Sequence, residues 1–414
     1  MKRIILKNFR IADESCDFFG SLVIEDGCIK EIVTGKNDPC GADIIIDGGG
    51  FAPSSVIMPA FVDLHAHFRE PGFPEKETLE SASLAAVSGG FCTVICMANT
   101  NPVIDTISKA RALKDRSDAL GLVDLYPVLS LTKNMEGMEL SQIKNLGVAN
   151  DGGKRLPLML SEDGRDVPDD GLFLAAMAEA KRLGIPVSCH CDLDGENNAV
   201  RRAIELGRKT GCRIHIAHVS TKEAVETIRK AKKAPPDNSG FALSCEVTPH
   251  HIGANEEDAR RMGEKSFGRV NPPLRTEADR LSLIAAAFDG TIDAIATDHA
   301  PHTETDKAAG APGFSGLETA FAACWSNLGQ NLQRISALMS ANPARITGLT
   351  DRGRIAQGQR ADLVIVDTQA VWKVDPAQFK SRGKCSPFAG RELQGKIIMT
   401  FNSGRIVFNG GINV

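Results

Sequence analysis

Between residues 61 and 297 the chain repeats one unit eight times: a short apolar run, then a stretch with helical spacing. The runs open at Phe61, Phe91, Leu122, Leu156, Ile185, Arg213, Ala242 and Ile292. Near-continuous apolar strands separated by helices argue for a parallel sheet covered on its outer face. Eight repeats argue for a closed (β/α)8 TIM-type barrel, an α/β fold. The helical stretches carry their own stop signals; Gly184 closes the one that starts near Gly171.

Outside this region the rhythm changes. Residues 1–59 and 351–414 are β-rich and broken by glycine turns, with Asp26-Gly27 a hairpin signal. The simplest architecture joins both ends into one composite small β-sandwich domain beside a barrel spanning residues 60–350.

Composition narrows the partners. A net charge of −4, one Tyr and two Trp give neither a basic footprint nor stacking platforms for nucleic acid. No run approaches the ~20 apolar residues that span a membrane. The first ten residues carry charges without an apolar core, so no secretory signal is expected. Eleven scattered cysteines fit a reducing cytoplasm. A cytoplasmic protein without nucleic-acid or membrane partners is therefore expected.

In such a barrel the chemistry sits at the carboxyl ends of the strands. His65 and His67 lie two apart on the first strand, so both imidazoles face one spot, and Arg69 continues that parity as an anion clamp. The fourth strand runs into Glu162-Asp163, the fifth ends at His190, the sixth at His218 and the eighth at Asp298-His299. Four imidazoles and two carboxylates at one mouth suit two divalent metals, such as Zn2+, bridged by a carboxylate. Glu162 stays open as an alternative to Asp163. Cys189 and Cys191 have the opposite parity to His190 and read as core. His215 reads as a satisfied interior histidine, and His250-His251 as scaffold beside the ligands. Residues 303–315, rich in Ala, Gly and Pro, read as a mobile lid.

Asp63-Leu-His-Ala-His-Phe-Arg-Glu-Pro-Gly72 resembles the signature of the dihydroorotases, cyclic amidohydrolases of pyrimidine synthesis. Matching stretches include Met97-Ala-Asn-Thr-Asn-Pro102, Ser161-Glu-Asp-Gly164, Ile216-Ala-His-Val-Ser-Thr221 and Glu246-Val-Thr-Pro-His-His251. Val270-Asn-Pro-Pro-Leu-Arg275 and Thr297-Asp-His-Ala-Pro-His302 extend them. The resemblance implies His65, His67, Asp163, His190, His218 and Asp298 as metal ligands, with Asp163 bridging in place of a carboxylated lysine. It further implies Arg69, Asn99 and His302 on the substrate carboxylate, Asn271 on the ring, and Asp298 as general base. Dihydroorotate and N-carbamoyl-L-aspartate would be substrate and product, and a homodimer or an aspartate carbamoyltransferase the protein partners. The alternatives are a hydantoinase, dihydropyrimidinase or allantoinase, or a non-catalytic scaffold for that transferase. Two departures stand out: the segment after His190 is short, and Ala98 replaces a usual proline before Asn99.

Overall fold

The structure is a computed structural model; it describes residues 3–35, 39, 41–146, 150–151, 154–235 and 239–411. All eight apolar runs form parallel strands, in chain order Phe61–Ala66, Phe91–Cys96, Asp124–Pro127, Leu160–Ser161, Val187–Cys189, Arg213–Ile216, Ala242–Val247 and Ala294–Ile295. The first three and the last five form separate ladders, and the parallel bridges Leu129–Leu160 and Ala66–His299 close them into a ring. The fourth strand is short because Pro157 has no N–H to give to a ladder.

The helix Asp170–Leu183 shows how sequence builds the outer layer. Asp169 caps its first turn by accepting from Leu172 N at 2.6 Å, and Gly184 ends it in the left-handed conformation. Phe173, Ala176, Met177, Ala180 and Leu183 recur at helical spacing and are buried. They join one core with strand residues such as Leu160 and Val187.

The two chain ends meet in one eight-stranded sheet. At its centre Ser55–Pro59 pairs antiparallel with Leu363–Lys373 and parallel with Ile4–Ala12. Ile4 and Leu6, then Phe9 and Ile11, face a core shared with Leu22, Ile24, Leu363, Ile365, Met399 and Phe401. The irregularity between Leu6 and Phe9 shifts parity, so both halves of the strand face that core. The hairpin at Asp26-Gly27 folds back onto the other chain end: Ile29 N donates to Gln359 O and Ala361 N to Gly27 O, each at 2.8 Å. These contacts tie the hairpin to the opposite end of the chain.

A buried ionic cluster joins sheet to barrel. Arg352, 5% exposed, donates to Thr93 Oγ1 at 2.8 Å and Asp124 Oδ2 at 2.7 Å. Arg360 bridges Asp124 at 2.7 Å and Asp362 at 3.1 Å. Among the described residues no helix is long and apolar enough to cross a membrane.

Candidate active site

His65 stands in the first strand, and His67, Asp163, His190, His218 and Asp298 follow within a few residues of their strands. The barrel brings all six together, each at most 6% exposed. Asp163 is the hub. Its Oδ1 lies 3.1 Å from His65 Nε2, 3.6 Å from His190 Nδ1 and 3.7 Å from His218 Nε2, while Oδ2 lies 3.4 Å from His67 Nε2. Asp298 Oδ1 approaches His67 Nε2 at 3.2 Å and His65 Nε2 at 3.6 Å. Two overlapping triplets, His65–His67–Asp163 and Asp163–His190–His218, each have metal-ligating geometry, with Asp163 common to both. Glu162 turns away, accepting from the backbone N–H groups of Leu131 and Thr132 at 2.9 and 3.0 Å.

The backbone bends to make this possible. His218, Asp298 and Arg69 have φ of 33°, 44° and 61°. Left-handed backbone costs a residue with a Cβ about 1 kcal/mol or more, so it persists only where surroundings hold it. Asp63 supplies part of that hold, accepting from Thr297 N at 2.9 Å and Thr297 Oγ1 at 2.5 Å. Burial pushes its carboxyl up to about 6.

One arrangement tests whether these residues suit a cation. His65 Nδ1 lies 3.1 Å from Glu246 Oε1, and an Nδ1–H donated there leaves a lone pair on Nε2. That Nε2 is buried and makes no hydrogen bond, yet it faces a carboxylate oxygen 3.1 Å away. A lone pair facing a carboxylate calls for a positive charge between the two atoms: a proton there holds the His65 pKa well above its ordinary value despite burial, and a divalent metal fits the same place. Burial opposes ionisation of Asp163, but the surrounding imidazoles outweigh it and hold that carboxyl well below the usual range. Asp298 is likewise lowered against burial, chiefly by His67.

A model of the amidohydrolase family matches residues 56–407. The chain belongs to that family. Among curated relatives, a dihydroorotase of Clostridium botulinum (strain Eklund 17B / Type B) is 38% identical, the match covering 98% of this chain and 99% of that protein. A dihydroorotase of Thermoanaerobacter sp. (strain X514) is 37% identical, over 98% and 97%. Among solved structures, an L-hydantoinase (dihydropyrimidinase) from Arthrobacter aurescens superposes with TM-score 0.87 at 25% identity, covering 100% of this chain and 98% of its own.

The remaining expected residues of this amidohydrolase line a cavity of about 220 Å³ above the cluster. Arg69 Nε donates to Pro301 O at 3.1 Å, and its Nη2 lies 3.2 Å from His302 Nε2; no carboxylate among the described residues pairs with it. Asn99 sits closer to the cluster than its expected role required, its Oδ1 2.9 Å from His67 Nδ1 and its Nδ2 3.4 Å from Asp163 Oδ2. Asn271 Nδ2 approaches His190 Nε2 and Asp192 Oδ2, both at 3.4 Å.

Glu246 had no role in the sequence reading. It is fully buried, with Oε1 on His65 and Oε2 2.9 Å from His215 Nε2; against burial, His215 and His65 lower it to about 2. The available signal was a carboxylate at the end of the seventh strand, inside a motif quoted only for its likeness. His215 is satisfied as expected, also meeting Ser244 Oγ at 2.8 Å. His251 is scaffold, bonded to Thr248 Oγ1 and Pro272 O. Cys189 and Cys191 belong to the core. The segment 303–315 differs from expectation: it holds a helix, Glu304–Ala308, and buried Phe314, which bridges to His299. Those anchors tie it to the barrel.

Proposed function

We propose that this amidohydrolase is a dihydroorotase, hydrolysing (S)-dihydroorotate reversibly to N-carbamoyl-L-aspartate. The observation that carries the reading is the position of Arg69: a guanidinium that no carboxylate among the described residues pairs with, at the rim of a His/Asp cluster, in a cavity sized for one small ring. His65, His67, Asp163, His190, His218 and Asp298 would hold the metal, zinc being the choice that imidazole and carboxylate donors favour. When bound, the metal supplies a water acidified to near-neutral pKa and polarises a carbonyl.

The chain does the rest. Arg69 and His302 receive the exocyclic carboxylate, which guanidinium grips through parallel hydrogen bonds, and Asn99 steadies His67 beside them. Asn271 contacts the ring amide. Asp298 accepts the proton of the attacking water and returns it to the departing ring nitrogen. In biosynthesis the same steps run backwards and close the ring. The hydantoinase-type fold neighbours raise a second reading, a ring substrate without that carboxylate; it leaves Arg69 and His302 without work. A homodimer, an aspartate carbamoyltransferase partner and a cytoplasmic setting accompany the dihydroorotase reading through resemblance alone.

Asp298→Ala tests the assignment. Turnover should fall at least about a thousandfold at saturating metal, with product binding retained. An active variant would remove Asp298 from the proton transfer.

A further inference from the structure

Lys307 is 1% exposed, and no carboxylate among the described residues pairs with its ammonium. An ammonium has three N–H donors, and all three are used on main-chain carbonyls: Arg269 O at 2.8 Å, Ala311 O and Gly313 O at 2.9 Å each. The Phe314 ring lies 5.2 Å away, adding a cation–π contact. Burial lowers the lysine's pKa. A charge held this deep without a counter-ion is costly, so its contacts merit a functional explanation.

Those contacts link the two loops that flank the cavity. Arg269 stands two residues before Asn271. Pro312 and Gly313 line the cavity, and Pro312 O accepts from His302 Nε2 at 3.0 Å. Gly313 N donates to Arg269 O at 3.0 Å, and Arg269 Nη1 to Gly310 O at 2.9 Å. Gly313 has φ 139°, and a Cβ there would lie 2.5 Å from Ala300 O, so the loop rests directly on the segment between Asp298 and His302. Without the ammonium, the three carbonyl dipoles would face one another with no shared donor.

We propose that Lys307 is a positioning residue: its buried ammonium fixes the loop carrying Asn271 against the loop contacting His302, and so sets the width of the substrate cavity. Lys307 itself touches no substrate. The proposal rests on the dihydroorotase reading of the site.

Lys307→Met removes the ammonium and keeps an unbranched apolar stem. KM for dihydroorotate should rise about tenfold and kcat stay within about threefold, because positioning is lost and the reacting groups remain. Metal content should not change. Lys114→Met is the control: it removes another buried ammonium, bonded to Asp118 and Leu125 O on the barrel's outer wall, and should leave KM unchanged. An unchanged KM in Lys307→Met overturns the proposal, as does an equal rise in both variants. If Lys307→Met does not fold, hydrogen exchange on the wild type decides. The amides of Gly313 and Arg269, which donate to Arg269 O and Ser266 O, should be protected without ligand; fast exchange until N-carbamoyl-L-aspartate binds overturns the proposal. Wild-type protein inactive on dihydroorotate would refute the functional reading instead, and exchange would still decide the role of Lys307.

Discussion

Replacing Arg69 with methionine isolates the interaction on which substrate choice depends. The side chain keeps its apolar stem but loses the guanidinium, which donates to one carbonyl and lies beside the His302 imidazole. Burial pulls its pKa below the ordinary arginine value, and Asp298 and Asp163 act on its charge without pairing with it. A charge-assisted hydrogen bond contributes about 2–3 kcal/mol. At about 1.4 kcal/mol per factor of ten, its loss lowers kcat/KM for dihydroorotate roughly 30- to 150-fold. The loss should appear in KM more than in kcat, because the carboxylate lies away from the scissile amide. Dihydrouracil, the same ring without the carboxylate, is the internal control; its slow turnover should change little. Equal losses on both substrates would mean that Arg69 supports the cavity wall and not the carboxylate, and the clamp argument would fail.

Other outcomes follow from the same geometry. Glu246→Gln leaves one imidazole N–H facing an amide N–H, and should weaken metal affinity about 10- to 100-fold by chelator competition; unchanged affinity would contradict the tautomer argument for His65. Added zinc should raise Tm in the wild type, since a ligand at a hundred times its Kd stabilises by about 2.7 kcal/mol, and Asp163→Ala should abolish most of that rise. Asp124→Asn breaks the buried pairing with Arg352 and Arg360 and should cost about 3 kcal/mol in urea unfolding at neutral pH. Burial raises the Asp124 pKa, but Arg360 and Arg352 outweigh it and leave the folded value depressed. Its stabilisation is therefore present above the unfolded value of about 3.9 and lost as pH falls through the folded one. The gap between wild type and variant should close below about pH 4; a gap that widens there contradicts the assignment.

The barrel was legible because its signal is local and repeated: apolar runs of strand length alternate with helical spacing. The site was legible for a related reason. Parity aims His65 and His67 together, and the barrel rule gathers strand ends that lie far apart in sequence. Where the reading stopped, the deciding contact spans the chain. Glu162 and Asp163 could not be separated until Leu131 and Thr132 were seen to occupy Glu162. Glu246 acquires meaning only from His65, 181 residues earlier. Lys307 sits in a segment whose Ala, Gly and Pro content suggested mobility, and its anchoring acts on carbonyls, which leave no trace in residue identity. Asn99 has a role set by distance: the same asparagine near a carboxylate or near His67 reads alike in one dimension.

The central claim is tested most directly by offering metal-replete protein dihydroorotate, dihydrouracil and hydantoin in parallel, and N-carbamoyl-L-aspartate in the reverse direction. The account predicts that kcat/KM for dihydroorotate exceeds that for either neutral ring by at least about 30-fold, with ring closure of N-carbamoyl-L-aspartate in the same preparation. Efficient hydrolysis of hydantoin or dihydrouracil without activity on dihydroorotate would contradict it.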